Sequence, residues 1–265
     1  MIRYVAAALA ALFSLQTSAA VFLKAAGENE ERAVQDGASW ATAYTNAQEA
    51  LTAALADGTL YVAAGVYPLS STTAVGDKTL KIYGGFKGDE EGENLETLVQ
   101  RDTENNQSIF TGDTKGNDCY LHYELSTNAP SSSVTITTTD ELMVKDGRFN
   151  PPPAYTGEYD IYATAINNGT GASLTSDNWW SNIFSFSNGA TFVLDGIYLL
   201  GYRNTRFSAS GTSTSVTIND CRFYANRAAS GVFSVDNLKA FPLSNSRFAY
   251  GVGGNNGGLW CATPG

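Results

Sequence analysis

The chain has 265 residues, a formal net charge of −10, 43% hydrophobic residues and only 16% charged ones. This composition excludes a disordered chain. A surface so negative repels phosphate backbones and anionic headgroups, which argues against nucleic acid as a partner. Gly, Ser, Thr, Asn and Tyr are plentiful while Lys, Glu and Arg are scarce, a bias toward strands joined by turns.

Residues 1–20 read as a secretory signal. Arg3 supplies the positive start, Val5 to Leu15 form a short apolar core broken by Ser14, and Ser18-Ala19-Ala20 offers a cleavage site. The apolar run is shorter than the ~20 residues a bilayer span requires. The expectation is cleavage near Ala20, no transmembrane span afterwards, and a mature protein outside the cytoplasm.

Residues 21–58 read as an N-terminal cap. A polar stretch from Gly27 to Gly37 precedes one helix, expected over about 46–56. Thr45-Asn46-Ala47-Gln48 has the form of a capping box, with Thr45 as the cap. Ala47, Ala50, Leu51, Ala54 and Leu55 make one apolar stripe, and Gly58 can take the left-handed cap. An amphipathic helix ahead of many short strands suits a lid over the end of a strand stack, where exposed backbone would otherwise pair with another chain.

From residue 59 the pattern is short strands, and near the C-terminus it repeats every 25 residues. Val193, Ile218 and Leu243 form an aliphatic column, Tyr198, Phe223 and Phe248 an aromatic one, and Asp195, Asp220 and Asn245 an Asx column. Alternate strand residues share a face, so 191, 193, 196 and 198 are expected to point inward, with the Asx residue at the bend. Gly196, Cys221 and Ser246 form a small column for the inner corner, which places Cys221 in the core. Leu60, Val62, Gly65 and Tyr67 fit the same inward template upstream, followed by Leu80 and Ile82. Such units bury their apolar faces only by stacking, and parallel crossovers are right-handed in about 98% of cases. The expected fold is all-β, a right-handed parallel β-helix (solenoid) over 59–265. A loop-rich insertion is expected over about 115–180, where Pro130 and Pro151-Pro152-Pro153 break the pattern. A β-sandwich would also show many short strands, but it does not predict columns that hold residue type at a fixed step.

The order Asp36-Gly37-Ala38-Ser39-Trp40-Ala41-Thr42-Ala43-Tyr44, the helix, then Leu60-Tyr61-Val62-Ala63-Ala64-Gly65-Val66-Tyr67 resembles the start of bacterial secreted right-handed parallel β-helix repeat proteins. Leu80 to Phe86, Gln100-Arg101-Asp102 and Thr111-Gly112-Asp113 continue the likeness. Asn226 to Gly231 and Asn255-Asn256-Gly257-Gly258 are similar to the Asn…Gly-Gly turns of those proteins and of polymorphic surface proteins, with Ser230 where a first Gly would stand. The resemblance covers about 36–113 and 183–261. It implies an exported, adhesin-like protein of the bacterial surface or outer membrane. The family also includes relatives of polysaccharide-degrading enzymes, and fold alone does not choose between these.

A hydrolase of that kind would need paired carboxylates, and a lyase a basic residue with the uronate charge neutralised. The single histidine, His122, has no acidic pair beside it in sequence. Asp195 and Asp220 are read as turn residues, and Arg222 and Arg247 as outward side chains one coil apart. No catalytic residues are assigned. Trp179 and Trp180, with Tyr155 and Tyr159 in the same insertion, are the candidate carbohydrate contacts, because indoles stack on sugar rings; packing of the insertion onto the strands is the alternative role. Asp89, Glu90, Glu91 and Glu93 could supply oxygens to Ca²⁺ but lack the spacing of a known calcium loop. No other metal or cofactor motif is present. Cys119, Cys221 and Cys261 are too widely spaced for a metal cluster, and no disulfide pair can be chosen among them. Residues 257–265 read as the opening of another coil without a second cap, so a truncated product, a fragment or a chain completed by a partner is expected, with self-association through the open C-terminal end.

The functional expectation is therefore a secreted or surface-displayed binding scaffold, with extracellular glycan or a surface protein as partner. A polysaccharide lyase or glycoside hydrolase is the alternative.

Overall fold

A computed structural model describes residues 20–27, 34–91, 97–125, 134–152, 160–164, 183–202, 205–209, 212–228, 233–236, 238–249, 252–253 and 259–262. Three parallel sheets surround the main core. The first contains, in spatial order, Val21–Leu23, Thr59–Ala63, Thr79–Phe86, Thr191–Asp195, Ser215–Asn219 and Leu243–Ser244. The second contains Gly65–Pro68, Ser108–Thr111, Ile197–Leu200, Arg222–Tyr224 and Arg247–Ala249. The third contains Thr73–Gly76, Phe184–Phe186, Thr205–Ala209, Phe233–Asp236 and Leu259–Ala262. Every pairing within these three sheets is parallel.

The expectation of a right-handed parallel β-helix over 59–265, with a loop-rich insertion over about 115–180, is corrected by the sheet arrangement. The described residues form several small sheets, parallel and antiparallel, with one α-helix. Between Thr111 and Ile183 the described strands lie outside the parallel sheets. Cys119–Leu125 there pairs antiparallel with both Val134–Leu142 and Asp160–Thr164. Val144–Lys145 and Arg148–Phe149 form a hairpin closed by Asp146-Gly147, both at positive φ (51° and 73°), as the favoured two-residue hairpin turn requires. The segment read as loop-rich is thus partly strand. Tyr120 and Met143 from it are fully buried with Ile109, Tyr198 and Leu200 of the second sheet, and Phe149 packs against Tyr224 at 4.8 Å.

The expected columns are displaced by one residue in one layer. Leu194, not Val193, pairs with Ile218, which pairs with Leu243; Val193 pairs with Thr217. The aliphatic file runs Val21, Leu60, Ile82, Leu194, Ile218, Leu243. Likewise Leu199, not Tyr198, precedes Phe223 and Phe248, while Tyr198 pairs with Arg222 on the opposite face. The cause is the bend. Gly196, Asp220 and Asn245 share the left-handed conformation (φ 71°, 49° and 50°), so the glycine, and not Asp195, turns the chain in that layer. The spacing is 24 residues from 196 to 220 and 25 from 220 to 245. The small-residue column also shifts: Ile197 precedes Cys221 and Ser246.

The helix spans Ala47–Asp57, and its N-cap is Asn46 rather than Thr45. The Asn46 carboxamide accepts from the Gln48 and Glu49 amides (2.8 and 3.2 Å), while the Thr45 hydroxyl donates to Gln35 Oε1. Gly58 ends the helix at φ 85°, its N–H bonded to Ala54 O. Ala47, Ala50, Leu51 and Ala54 are buried against Val21, Leu60 and Leu80 of the first sheet, and Leu55 packs beside them half-buried.

Candidate functional site

Two features of the outer surface carry chemistry. The first is a charged corner between the first and second sheets, where the stretch 100–107 crosses the bends. Its close approach depends on two glycines. A Cβ on Gly84 would lie 2.5 Å from Gly196 O, and one on Gly196 would lie 2.7 Å from Thr103 Cγ2. With both positions bare, Arg101 Nη1 reaches Asp195 Oδ1 at 2.9 Å, and Thr103 Oγ1 donates to Asp220 Oδ2 at 2.7 Å. Arg222 closes the network, donating to Asp220 Oδ1 (2.9 Å) and Glu104 Oε1 (2.8 Å) with its side chain 5% exposed. Two rings add cation–π contacts, Tyr83 to Arg101 at 6.0 Å and Tyr198 to Arg222 at 5.9 Å.

These contacts revise the expected roles. Asp195 is not a bend residue but the ion-pair partner of Arg101. Arg222 does not point to solvent; it is buried at the corner, whereas Arg247 in the next layer is exposed. Burial works against the Arg222 charge, but the hydrogen bonds it donates to Glu104 and Asp220 outweigh it and push the guanidinium pKa up. Burial, followed by the Glu104 charge, pushes the Tyr198 phenol up to about 12. The Cys221 thiol is raised to about 12 by burial, and its Sγ donates to Leu194 O and Asn219 O. A guanidinium so held cannot act as a base at neutral pH, and neither the phenol nor the thiol is ionised there. Asp195 and Asp220 each engage a guanidinium, an arrangement that fixes a loop rather than activates water.

The second feature is a cleft of about 510 Å³ beside the first sheet, between residues 38–41 and 88–91. Phe22 and Trp40 meet edge to face at 4.8 Å in its wall. A 3₁₀ turn, Trp40–Thr42, presents the indole; Ser39 caps it by accepting from Thr42 N. The opposing loop is set by Glu90, whose carboxylate accepts from the Lys87, Gly88 and Asp89 amides at 2.6, 2.9 and 3.1 Å. Asp89 pairs with Lys87 at 2.6 Å in solvent. Of the suggested calcium ligands, Glu90 is turned into its own loop and Asp89 toward Lys87, and Glu93 lies outside the described residues. Among the described residues no group of three or more His, Cys, Asp or Glu is placed to hold a metal ion.

Trp179, Trp180, Tyr155 and Tyr159 lie outside the described residues. His122 sits mid-strand, paired with Thr137 and Tyr162. Cys119 and Cys221 are in no disulfide, and the backbone of Cys261 pairs with that of Val235. Among the described residues no helix is long and apolar enough to cross a membrane. Reading the sequence missed the corner network, because all its links but Arg222–Asp220 join residues about a hundred or more apart along the chain, 94 for Arg101–Asp195 and 118 for Glu104–Arg222. The cleft left a signal in the sequence, Trp40 within an Asp-Gly-Ala-Ser turn, but its second wall comes from 88–91.

No protein-family model, curated protein or solved structure matches the chain.

Proposed function

We propose that this protein is an exported, surface-displayed or secreted binding scaffold that recognises extracellular glycan without turning it over. The observation that carries this reading is the engagement of the corner charges. Arg222, clamped between Asp220 and Glu104, and Asp195, held by Arg101, are the groups best suited by type to act on a polysaccharide. Their geometry supports a structural role, locking 101–104 across the sheet bends. The apolar residues 5–15, following Arg3, support export.

Incubation with pectic, alginate and glycosaminoglycan substrates tests the absence of turnover. No unsaturated product and no new reducing ends are expected; either would establish the lyase or hydrolase alternative. A glycan array tests recognition, with binding to at least one carbohydrate expected.

The last described layer also favours self-association. Leu243 and Phe248 are only partly buried, whereas Ile218 and Phe223 beneath them are fully buried, and Phe248 stacks flat on Phe223 at 4.6 Å. Partly buried apolar side chains in the last described layer suit contact with a second copy. Light scattering across a concentration series is expected to show mass growth that Phe248→Glu suppresses; a constant monomer mass would refute it.

A further inference from the structure

We infer that the cleft between residues 38–41 and 88–91 binds a neutral oligosaccharide. This assignment rests on the glycan-binding reading above and gives it a place on the molecule. At about 510 Å³ the cleft is within the ~300–1,000 Å³ range of small-molecule sites. It combines an apolar wall, Phe22 and Trp40, with the polar rim residues Lys24, Ser39, Asp89 and Glu91. A pyranose has this same division: C–H faces that pack on aromatic edges and hydroxyls that both donate and accept. Trp40 is 8% exposed, and among the described residues its indole N–H, itself out of reach of solvent, has no acceptor.

Charge selects among sugars. The rim and the adjoining Lys87 set two ammonium groups, Lys24 and Lys87, beside the three carboxylates of Asp89, Glu90 and Glu91, so the cleft is locally negative, and the whole chain carries −10. A uronate or sulfated chain is repelled by the long-range field, and a neutral chain is not. The walls are also set in advance. Glu90 holds three amides of its loop, Lys24 Nζ donates to Gly88 O at 3.1 Å, and Ser39 caps the 40–42 turn. Little ordering therefore remains to be done on binding. The Asp89–Lys87 pair is solvent-exposed, with side chains 60% and 71% accessible. A pair of that kind exchanges readily for a ligand hydroxyl.

The test is calorimetric titration of the full chain with cellotetraose, xylotetraose, maltotetraose and chitotetraose. Three variants are compared with the parent: Asp89→Ala/Glu91→Ala, which strips the rim; Ala41→Trp, which fills the cleft from an exposed position; and Trp180→Ala. At least one tetrasaccharide is expected to bind. Its Kd should rise about tenfold or more in the rim variant, the loss of about 1.4 kcal/mol, and binding should vanish in Ala41→Trp. Binding unchanged in both cleft variants but lost in Trp180→Ala would overturn the cleft while leaving glycan recognition standing. Binding to none of the four by a parent chain that also fails on the glycan array would overturn both.

Discussion

Gly84 and Gly196 show how a missing side chain positions charged ones. They face each other across the corner, and a methyl group on Gly84 would meet Gly196 O, Ile197 Cδ1 and Ser108 Cβ, all within 2.8 Å. None of these contacts is with the far end of a long polar side chain, so the backbone itself must move. Gly84→Ala is expected to cost about 2–3 kcal/mol, measured by urea unfolding. The Arg101–Asp195 pair is largely sheltered, with side chains 13% and 11% exposed. Removing one partner leaves an uncompensated guanidinium, so Asp195→Ala is expected to destabilise by about 2–3 kcal/mol.

Cys221 and Tyr198 weaken the fold at alkaline pH. Their folded-state pKa values are both raised to about 12, from 9.0 for a free thiol and 10.0 for a free phenol. The unfolded chain loses these protons first, so stability is fully present below pH 9 and declines as pH rises through about 12. Urea midpoints at pH 8, 9.5 and 11 should fall progressively, and Cys221→Ala should flatten the early part of the decline. A thiol reagent at pH 8 is expected to spare Cys221 in the folded protein, because its neutral form is fully buried.

At the scale of single elements, the helix separates what a motif indicates from what geometry selects. Thr45 and Asn46 are both capable caps, and the run Thr-Asn-Ala-Gln fits Thr45 into a capping box. Asn46 wins because its backbone is extended at φ −96°, ψ 120° directly before the first helical residue, while Thr45 is tied back to Gln35. Asn46→Ala is expected to cost about 1 kcal/mol and Thr45→Ala distinctly less, read from thermal midpoints. The strand Thr191–Asp195 teaches the same lesson. Its alternation of Phe192 and Leu194 inward against Thr191 and Val193 outward is equally readable in either phase from an apolar run. One residue of slip reverses the faces, and the conformation of Gly196 fixes which phase is used.

For the molecule as a whole, the parallel sheets and the antiparallel insertion are distinct in their demands. The insertion covers the outer face of the second sheet through Tyr120 and Met143, both without solvent contact. Met143→Glu places a charge in that contact and is expected to detach the insertion while the parallel core persists. Hydrogen exchange should then rise over Cys119–Leu125 and stay low over Thr191–Asp195.

The amino-acid pattern alone determined that the chain is built of short strands, that one helix lies ahead of Thr59, and that Leu60, Val62, Tyr67, Leu80, Ile82, Ile218, Phe223 and Cys221 face inward. Each of these follows from local periodicity and the cost of exposing apolar surface. Tertiary structure decided the register of the columns, the division into parallel and antiparallel sheets, the corner network and the cleft. Those depend on which distant backbone approaches which glycine and which buried carboxylate finds which guanidinium. Interactions across such separations leave no periodic trace in a sequence, because close contact in space, and not spacing along the chain, sets their energy.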